Sequence, residues 1–256
     1  MVRRARQPAD RRWPEKDVIV NINPQEMKQL AAVQAQPRLD LYVGIHKALR
    51  ALMADTLLAV GRMDSDDGLE LAQTSQRVLA LLDFCVAHLR HENAFVHTAL
   101  EARAPGASEL IAHEHEEHER HIAGLSALVG DLLKALPAQR ADAALALYRQ
   151  LALFIADNFQ HMHVEETAHN AVLWSRYTDA ELAAIHGALV ASIPPEEMMF
   201  VLRWLVPFMN PAERRAMLAD MQAHAPAPLF AAVLDSVRPH LTPREWDKLA
   251  SGLGLA

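Results

Sequence analysis

The most constraining feature of this chain is a pair of His-x-x-x-Glu motifs, each inside a long stretch of helix-forming residues. They are His88–Glu92 in AHLRHEN and His161–Glu165 in QHMHVEE. Because residues four apart on an α-helix lie above one another on one face, each motif directs an imidazole and a carboxylate to one point. Nitrogen and oxygen ligands of this kind suit iron, zinc or manganese. The two motifs therefore predict a metal site among packed helices.

Composition narrows the class of protein. Apolar residues make up 51% of the 256-residue chain and aromatic residues only 5%, which is typical of a nearly all-helical protein. The net charge of −7 argues against nucleic acid as the main partner. The single cysteine, Cys85, excludes a disulfide framework within one chain. Since no apolar run approaches the roughly 20 residues of a membrane helix and the start lacks a secretory signal, we expect a cytoplasmic protein with no membrane segment.

The pattern of helix breakers divides the chain into three regions. Prolines interrupt residues 1–36, which we predict to be a partly mobile lead-in. Four long helical runs joined by short turns fill residues 37–177. The fold class predicted from them is all-α, with an up-down-up-down antiparallel four-helix bundle.

A smaller set of C-terminal helical hairpins is predicted over residues 178–256. Thr178 begins a capping-box pattern, and a weak repeat with a period of 32 residues follows it. In the two copies, Asn210 or Thr242 is positioned to cap a helix whose first residue is proline and whose third is glutamate.

Counting residues from the helix ends tests whether the candidate ligands can meet. In an antiparallel bundle, the starts of the first and third helices lie beside the ends of the second and fourth. At ~1.5 Å per residue, six candidates fall in one layer, roughly 14–22 Å from that end. The six are His46, His88, Glu92, His115, His161 and Glu165.

The third helical run leaves its ligands open, because AHEHEEHERH contains four histidines and several acids. Its apolar stripe passes through His115 and His118, so both are candidate ligands, and Glu119 is an alternative one turn after His115. Glu166 could accept a hydrogen bond from a ligand. We expect the remaining histidines near the motifs to point elsewhere, at the surface or supporting the ligands. They are His91, His97, His163 and His169.

The order of these motifs over about residues 38–176 resembles the hemerythrin-like (HHE cation-binding) family. HLRHENAFVHTAL and HMHVEETAHNAVLW resemble its repeated blocks, although Asn93 stands where a second glutamate is usual. The resemblance implies a four-helix bundle around a non-haem di-iron centre, with zinc or manganese as substitutes. Carried over by motif, His46 and His88 would hold one iron, His115 and His161 the other, and Glu92 and Glu165 would bridge them.

The resemblance implies a protein that binds O₂, NO or peroxide for sensing, protection or storage, and the sequence favours such a binding or sensing protein over an enzyme without deciding whether turnover occurs. One alternative is a divalent-metal-binding module without redox turnover, whose C-terminal helices recruit a protein partner or a second copy. Another is a ferritin-like di-iron oxidase, but that class uses Glu-x-x-His on two helices and this chain has only Glu166-x-x-His169. A structural bundle without metal is the last alternative.

Overall fold

The computed structural model describes residues 38–255, and all regular secondary structure within them is helical. This confirms the all-α prediction. The lead-in predicted for residues 1–36 lies outside the described residues. None of the described helices is long and apolar enough to cross a membrane.

Four long helical runs contact one another in a ring. The first, α1 (Val43–Arg62), packs on the second and the fourth, and the third packs on the same two. Asp67 caps the second run, where its Oδ1 accepts from the backbone N–H of Leu69 at 2.8 Å. The other elements of the ring are α2 (Gly68–His91), a π-helical turn (Glu92–His97), α3 (Thr98–Arg103), α4 (Glu109–Lys134), α5 (Pro137–Val164), a second π-helical turn (Glu165–His169) and α6 (Asn170–Arg176).

Two apolar clusters form inside the ring and leave a polar layer between them. The larger cluster is built from all four runs and includes Leu49, Leu89, Ile122 and Met162. The smaller cluster lies toward the other end of the runs, and we call it the end cluster. Its buried members are Tyr42, Val96, Leu100, Leu173 and Leu182.

Shorter helices follow the ring and reproduce the repeat seen in the sequence. The capping boxes predicted at Thr178, Asn210 and Thr242 are confirmed. Each of these side chains accepts a hydrogen bond from the backbone N–H of the third helical residue, a glutamate, whose carboxylate accepts one from the backbone N–H of the capping residue. The order helix, 3₁₀ turn, helix recurs 32 residues later. The elements are α7 (Asp179–Ser192), α8 (Pro195–Leu205), the turn Val206–Phe208, α9 (Pro211–His224), α10 (Ala227–Val237), the turn Arg238–His240 and α11 (Pro243–Leu253).

The first copy of this repeat packs directly on the ring. Helix α8 contacts α1, and its residues Val201 and Leu205 are buried in the larger apolar cluster. Lys47 on α1 also donates to both carboxylate oxygens of Glu213 on α9, at 2.7 and 2.8 Å. The residues from Arg38 onward accordingly form one compact unit.

Candidate metal centre

The polar layer contains both His-x-x-x-Glu motifs and one histidine from each of the other two runs. His88 lies near the end of α2 and His161 near the end of α5, and each is followed by a glutamate that begins a π-helical turn. His46 lies in the first turn of α1, and His115 lies early in α4. All six side chains are buried, none with more than 8% of its surface exposed.

One half of the layer brings two histidines to two carboxylates. The Nε2 atom of His46 lies 3.5 Å from an oxygen of Glu92 and 3.5 Å from an oxygen of Glu165. His88 Nε2 lies 3.2 Å from the same Glu92 oxygen. One ligand atom from each of these four residues falls within 4.8 Å of the others, so the group could hold a metal ion.

The other half repeats the arrangement with the same two carboxylates. His161 Nε2 lies 3.4 Å from Glu165 Oε2, and His115 Nε2 lies 3.6 Å from Glu92 Oε2. The Nε2 atoms of His115 and His161 are 3.1 Å apart. Two neighbouring nitrogens that bind the same metal ion at ~2.1 Å are separated by about this distance. Both carboxylates therefore belong to two ligand groups at once, each completed by its own histidine pair.

Six atoms that face the centre of the layer have no protein hydrogen-bond partner. They include Nε2 of His46, Nε2 of His88, and both carboxylate oxygens of Glu92 and of Glu165. A buried polar group left unpaired costs about 1–3 kcal/mol, so six such atoms in one place are unfavourable without a further ligand. Two divalent cations would satisfy them, and the donor set therefore fits a metal pair.

Hydrogen bonds on the far side of each ring hold these histidines in position. His46 Nδ1 lies 2.9 Å from Glu166 Oε1, and Arg50 fixes that carboxylate with contacts of 2.5 and 3.1 Å. With the proton on Nδ1, the Nε2 lone pair faces the centre, as metal ligation requires. Glu166, which the sequence suggested as an acceptor for a candidate ligand, thus contacts His46, and the ligand role of His46 stays a prediction.

The second histidine pair is held in the same way by residues of other helices. His161 Nδ1 lies 2.9 Å from Glu114 Oε2, and His115 Nδ1 lies 2.8 Å from Asn93 Oδ1. Asn93 thus orients the ring of His115, which lies on another helix. Sequence reasoning missed Glu114, because nothing in the sequence distinguishes it from the acids beside it.

Burial and neighbouring charges together decide the protonation of the layer. Burial lowers the pKa of His88 to about 4 and that of His115 to about 2, so both rings are neutral near pH 7. Burial and the neighbouring Glu92 raise the pKa of Glu165 well above its usual range. Burial also opposes the charge on Glu92, but His88 and His46 outweigh it and lower that pKa. The raised pKa favours the protonated form of Glu165 in the metal-free protein, and a bound metal would displace that proton.

The remaining candidates on α4 lie outside these two groups. His118 is buried, but its Nε2 lies 3.2 Å from Asp157 and its ring meets the ring of His161 edge-on at 4.7 Å. Glu119, the alternative ligand, is exposed. His118 as a ligand stays a prediction.

A surface position, one of the two expected for His97 and His169, is wrong, and the other, a role in supporting the ligands, stays a prediction. Both rings are buried, and each offers a nitrogen that forms a third group with Glu165. On a regular α-helix, the five-residue step from Glu92 to His97 turns the side chain about 140° away. The π-helical turn between them removes this offset, and the sequence gives no sign of that turn. For His169 the signal was present, because it lies four residues after Glu165.

Comparisons with known proteins bear on this geometry. Searches of curated proteins and of solved structures gave no match. A family model described as the hemerythrin HHE cation-binding domain matches residues 38–169. The match spans more than half of the 256-residue chain and contains both histidine pairs and both shared glutamates, and the protein belongs to this family.

Proposed function

We propose that this protein holds two iron ions in an antiparallel four-helix bundle and binds O₂, NO or a related small oxidant there, for sensing, protection or storage. One observation carries the proposal: two histidine pairs share two buried carboxylates whose four oxygens have no protein partner. Histidine and carboxylate together suit iron, and two carboxylates common to both groups suit a bridged pair. Family membership supports a metal ion as the occupant.

In this proposal His46 and His88 would hold one ion, His115 and His161 would hold the other, and both ions would share Glu92 and Glu165. Ferrous iron, when bound, supplies the electrons that a small oxidant takes up. The chain's own residues keep His88 and His115 neutral, orient the histidine Nε2 atoms and exclude bulk water from the layer.

The experiment is anaerobic reconstitution with ferrous iron, followed by elemental analysis and exposure to O₂ or NO. We expect about two irons per chain and an optical change when the small molecule is added. Replacement of Glu165 or His161 by Ala should abolish the iron. The exposed Glu119, changed to Ala, is the matched control and should keep full iron content. Retention of two irons by Glu165→Ala would contradict the proposal.

Metal binding without redox change is the second candidate function. The buried ligand set fits zinc or manganese as well as iron, and two ions that stay bound without responding to O₂ or NO would favour it. A ferritin-like oxidase is less favoured, because Glu166 of the single Glu-x-x-His is already held by Arg50 and His46. A cytoplasmic location and a partner or second copy at residues 178–256 stay predictions from the sequence.

A further inference from the structure

A cavity of about 340 Å³ lies among the C-terminal helices, lined by residues of α9 and of α11. These two helices belong to different copies of the 32-residue repeat and pack against each other. The volume is within the range of pockets that bind small molecules. None of the lining residues belongs to the three groups that could hold a metal ion, so the proposed function leaves this cavity without a role.

Most of the charged groups that line this cavity are cations. Arg214 and Arg215 come from α9 and Lys248 from α11, and Glu245 supplies the only lining carboxylate among the described residues. Three cations and one carboxylate give the lining a net charge of +2 at neutral pH, whereas the whole chain carries −7. A concave site whose charge is opposite to that of the whole protein attracts anions.

The carboxylate of Glu245 compensates these cations only in part. Its Oε2 atom accepts hydrogen bonds from the backbone N–H and the hydroxyl of Thr242, at 2.9 and 2.7 Å. Its Oε1 atom lies 3.9 Å from Arg214 Nη2, which is too long for a hydrogen bond. The nearby Glu213 is held by a lysine of α1, and Asp247 does not line the cavity.

Arg214 is the buried cation of this set, with 3% of its surface exposed. Its Nε and Nη2 atoms donate to the carbonyl oxygens of Val206, Pro207 and Met209, at 2.6–3.0 Å. None of these bonds uses Nη1. The turn does not require a buried arginine, because the second copy forms the same turn with Trp246 at the corresponding position, 32 residues later. Since a buried charge is costly without a charged partner, the arginine indicates a further role.

Arg215 and Lys248 are the exposed cations of this set. Within the described part of the chain, neither of them forms a hydrogen bond or an ion pair with another side chain. The aliphatic stem of Arg215 crosses α11 at Gly252, where an added Cβ would lie 2.8 Å from Arg215 Cδ. A residue without a Cβ permits this close approach, which holds the stem against α11.

Charge and shape together define the ligand. A phosphate monoester carries a charge of about −1.5 to −2 at pH 7 and has three acceptor oxygens, so it matches a lining of net charge +2. Arginine and lysine are the usual donors to phosphate. The buried Leu249 and the methyl group of Ala212 also line the cavity and offer an apolar surface to the organic part of such a molecule.

We propose that the cavity between α9 and α11 binds a small organic phosphate monoester, whose phosphate contacts Arg214, Arg215 and Lys248. The site is separate from the metal layer, and this inference does not depend on the proposed function.

The test is isothermal titration calorimetry of the full chain with phenyl phosphate. We expect a dissociation constant below about 1 mM at low ionic strength, which rises as salt is added. The double variant Arg215→Gln and Lys248→Gln removes two exposed charges and should raise this constant at least about tenfold. Arg149→Gln with Arg244→Gln is the matched control. Both of its positions are exposed and outside the cavity, and the change in net charge is the same, so the constant should stay within about twofold.

Arg214→Gln is not the main test, because it also removes the bonds that hold the turn before α9. The exposed pair avoids this difficulty, and circular dichroism of the double variant should match that of the unchanged protein.

Four results would overturn the inference. A dissociation constant above about 10 mM for phenyl phosphate would show that the cavity does not take this class of ligand. Equal weakening in the control pair would assign the effect to overall charge. Equal affinity for phenol would show that the cations contribute nothing, and equal affinity for inorganic phosphate would show that the organic part contributes nothing. Because the titration needs no metal, each of these results leaves the proposed function intact.

Discussion

Replacing Glu165 with leucine should make the metal-free protein more stable and remove the stability that metal confers. Glu165 is fully buried and neither of its carboxylate oxygens has a hydrogen-bond partner. An unpaired buried acceptor costs about 1–3 kcal/mol, and leucine fills a similar volume without polar atoms. We therefore expect the free energy of unfolding of the metal-free variant to rise by about 1–3 kcal/mol.

With metal bound, the unchanged protein should be more stable than Glu165→Leu. A ligand that binds only the folded state at 100 times its dissociation constant stabilises by ~2.7 kcal/mol. The unchanged protein should gain this amount or more, while the variant, which lacks a bridging carboxylate, should gain much less. The measurement is denaturant unfolding followed by circular dichroism, with and without ferrous iron under anaerobic conditions.

A matched control and a clear refutation are available. Glu116 is 76% exposed on α4, so Glu116→Leu should change the unfolding free energy by no more than about 0.5 kcal/mol in either condition. If metal-free Glu165→Leu is less stable than the unchanged protein by more than ~1 kcal/mol, the carboxyl is well satisfied without metal. The argument from unpaired oxygens would then be wrong.

Three further predictions concern orientation, protonation and packing. Glu166→Gln should weaken metal binding about 10–100-fold, measured by competition with a chelator, because Glu166 fixes the ring of His46; an unchanged affinity would contradict this. Burial lowers the pKa of folded His88 to about 4 from an ordinary value of 6.5, so the unfolded chain binds more protons between these values. His88 should therefore contribute a fall of up to roughly 3 kcal/mol in the unfolding free energy of the metal-free protein as pH drops from 6.5 to 4, while the raised pKa of Glu165 contributes in the opposite direction. His88→Gln should remove the His88 part of the pH profile. Leu205→Ala should cost about 2–5 kcal/mol in denaturant unfolding, because Leu205 is buried where α8 packs on α1; a loss below ~1 kcal/mol would mean that this contact contributes little.

Much of the polar layer could be predicted because α-helical periodicity is readable from sequence. His88 with Glu92, and His161 with Glu165, lie one turn apart on regular helix, so their shared direction follows from spacing alone. The capping boxes were predictable for the same reason, since they depend only on residues three apart. The all-helical class followed from composition and from the distribution of helix breakers.

The rest depends on contacts between distant residues or on departures from regular helix. The inward position of His97 requires a π-helical turn, which no local pattern specifies. Glu114 and Asn93 reach histidines on other helices, so their roles appear only when the helices are packed. The packing of α8 on α1 could not be predicted either. An apolar face such as the one that contains Val201 indicates that a helix is buried, but it does not identify the helix that covers it.

The most direct test of the account is the location of metal in a crystal of the iron-loaded protein, by anomalous scattering at the iron edge. We predict two peaks in each chain, one beside His46 and His88 and the other beside His115 and His161, with Glu92 and Glu165 reaching both. A single peak, or two peaks that do not share these carboxylates, would contradict the bridged pair.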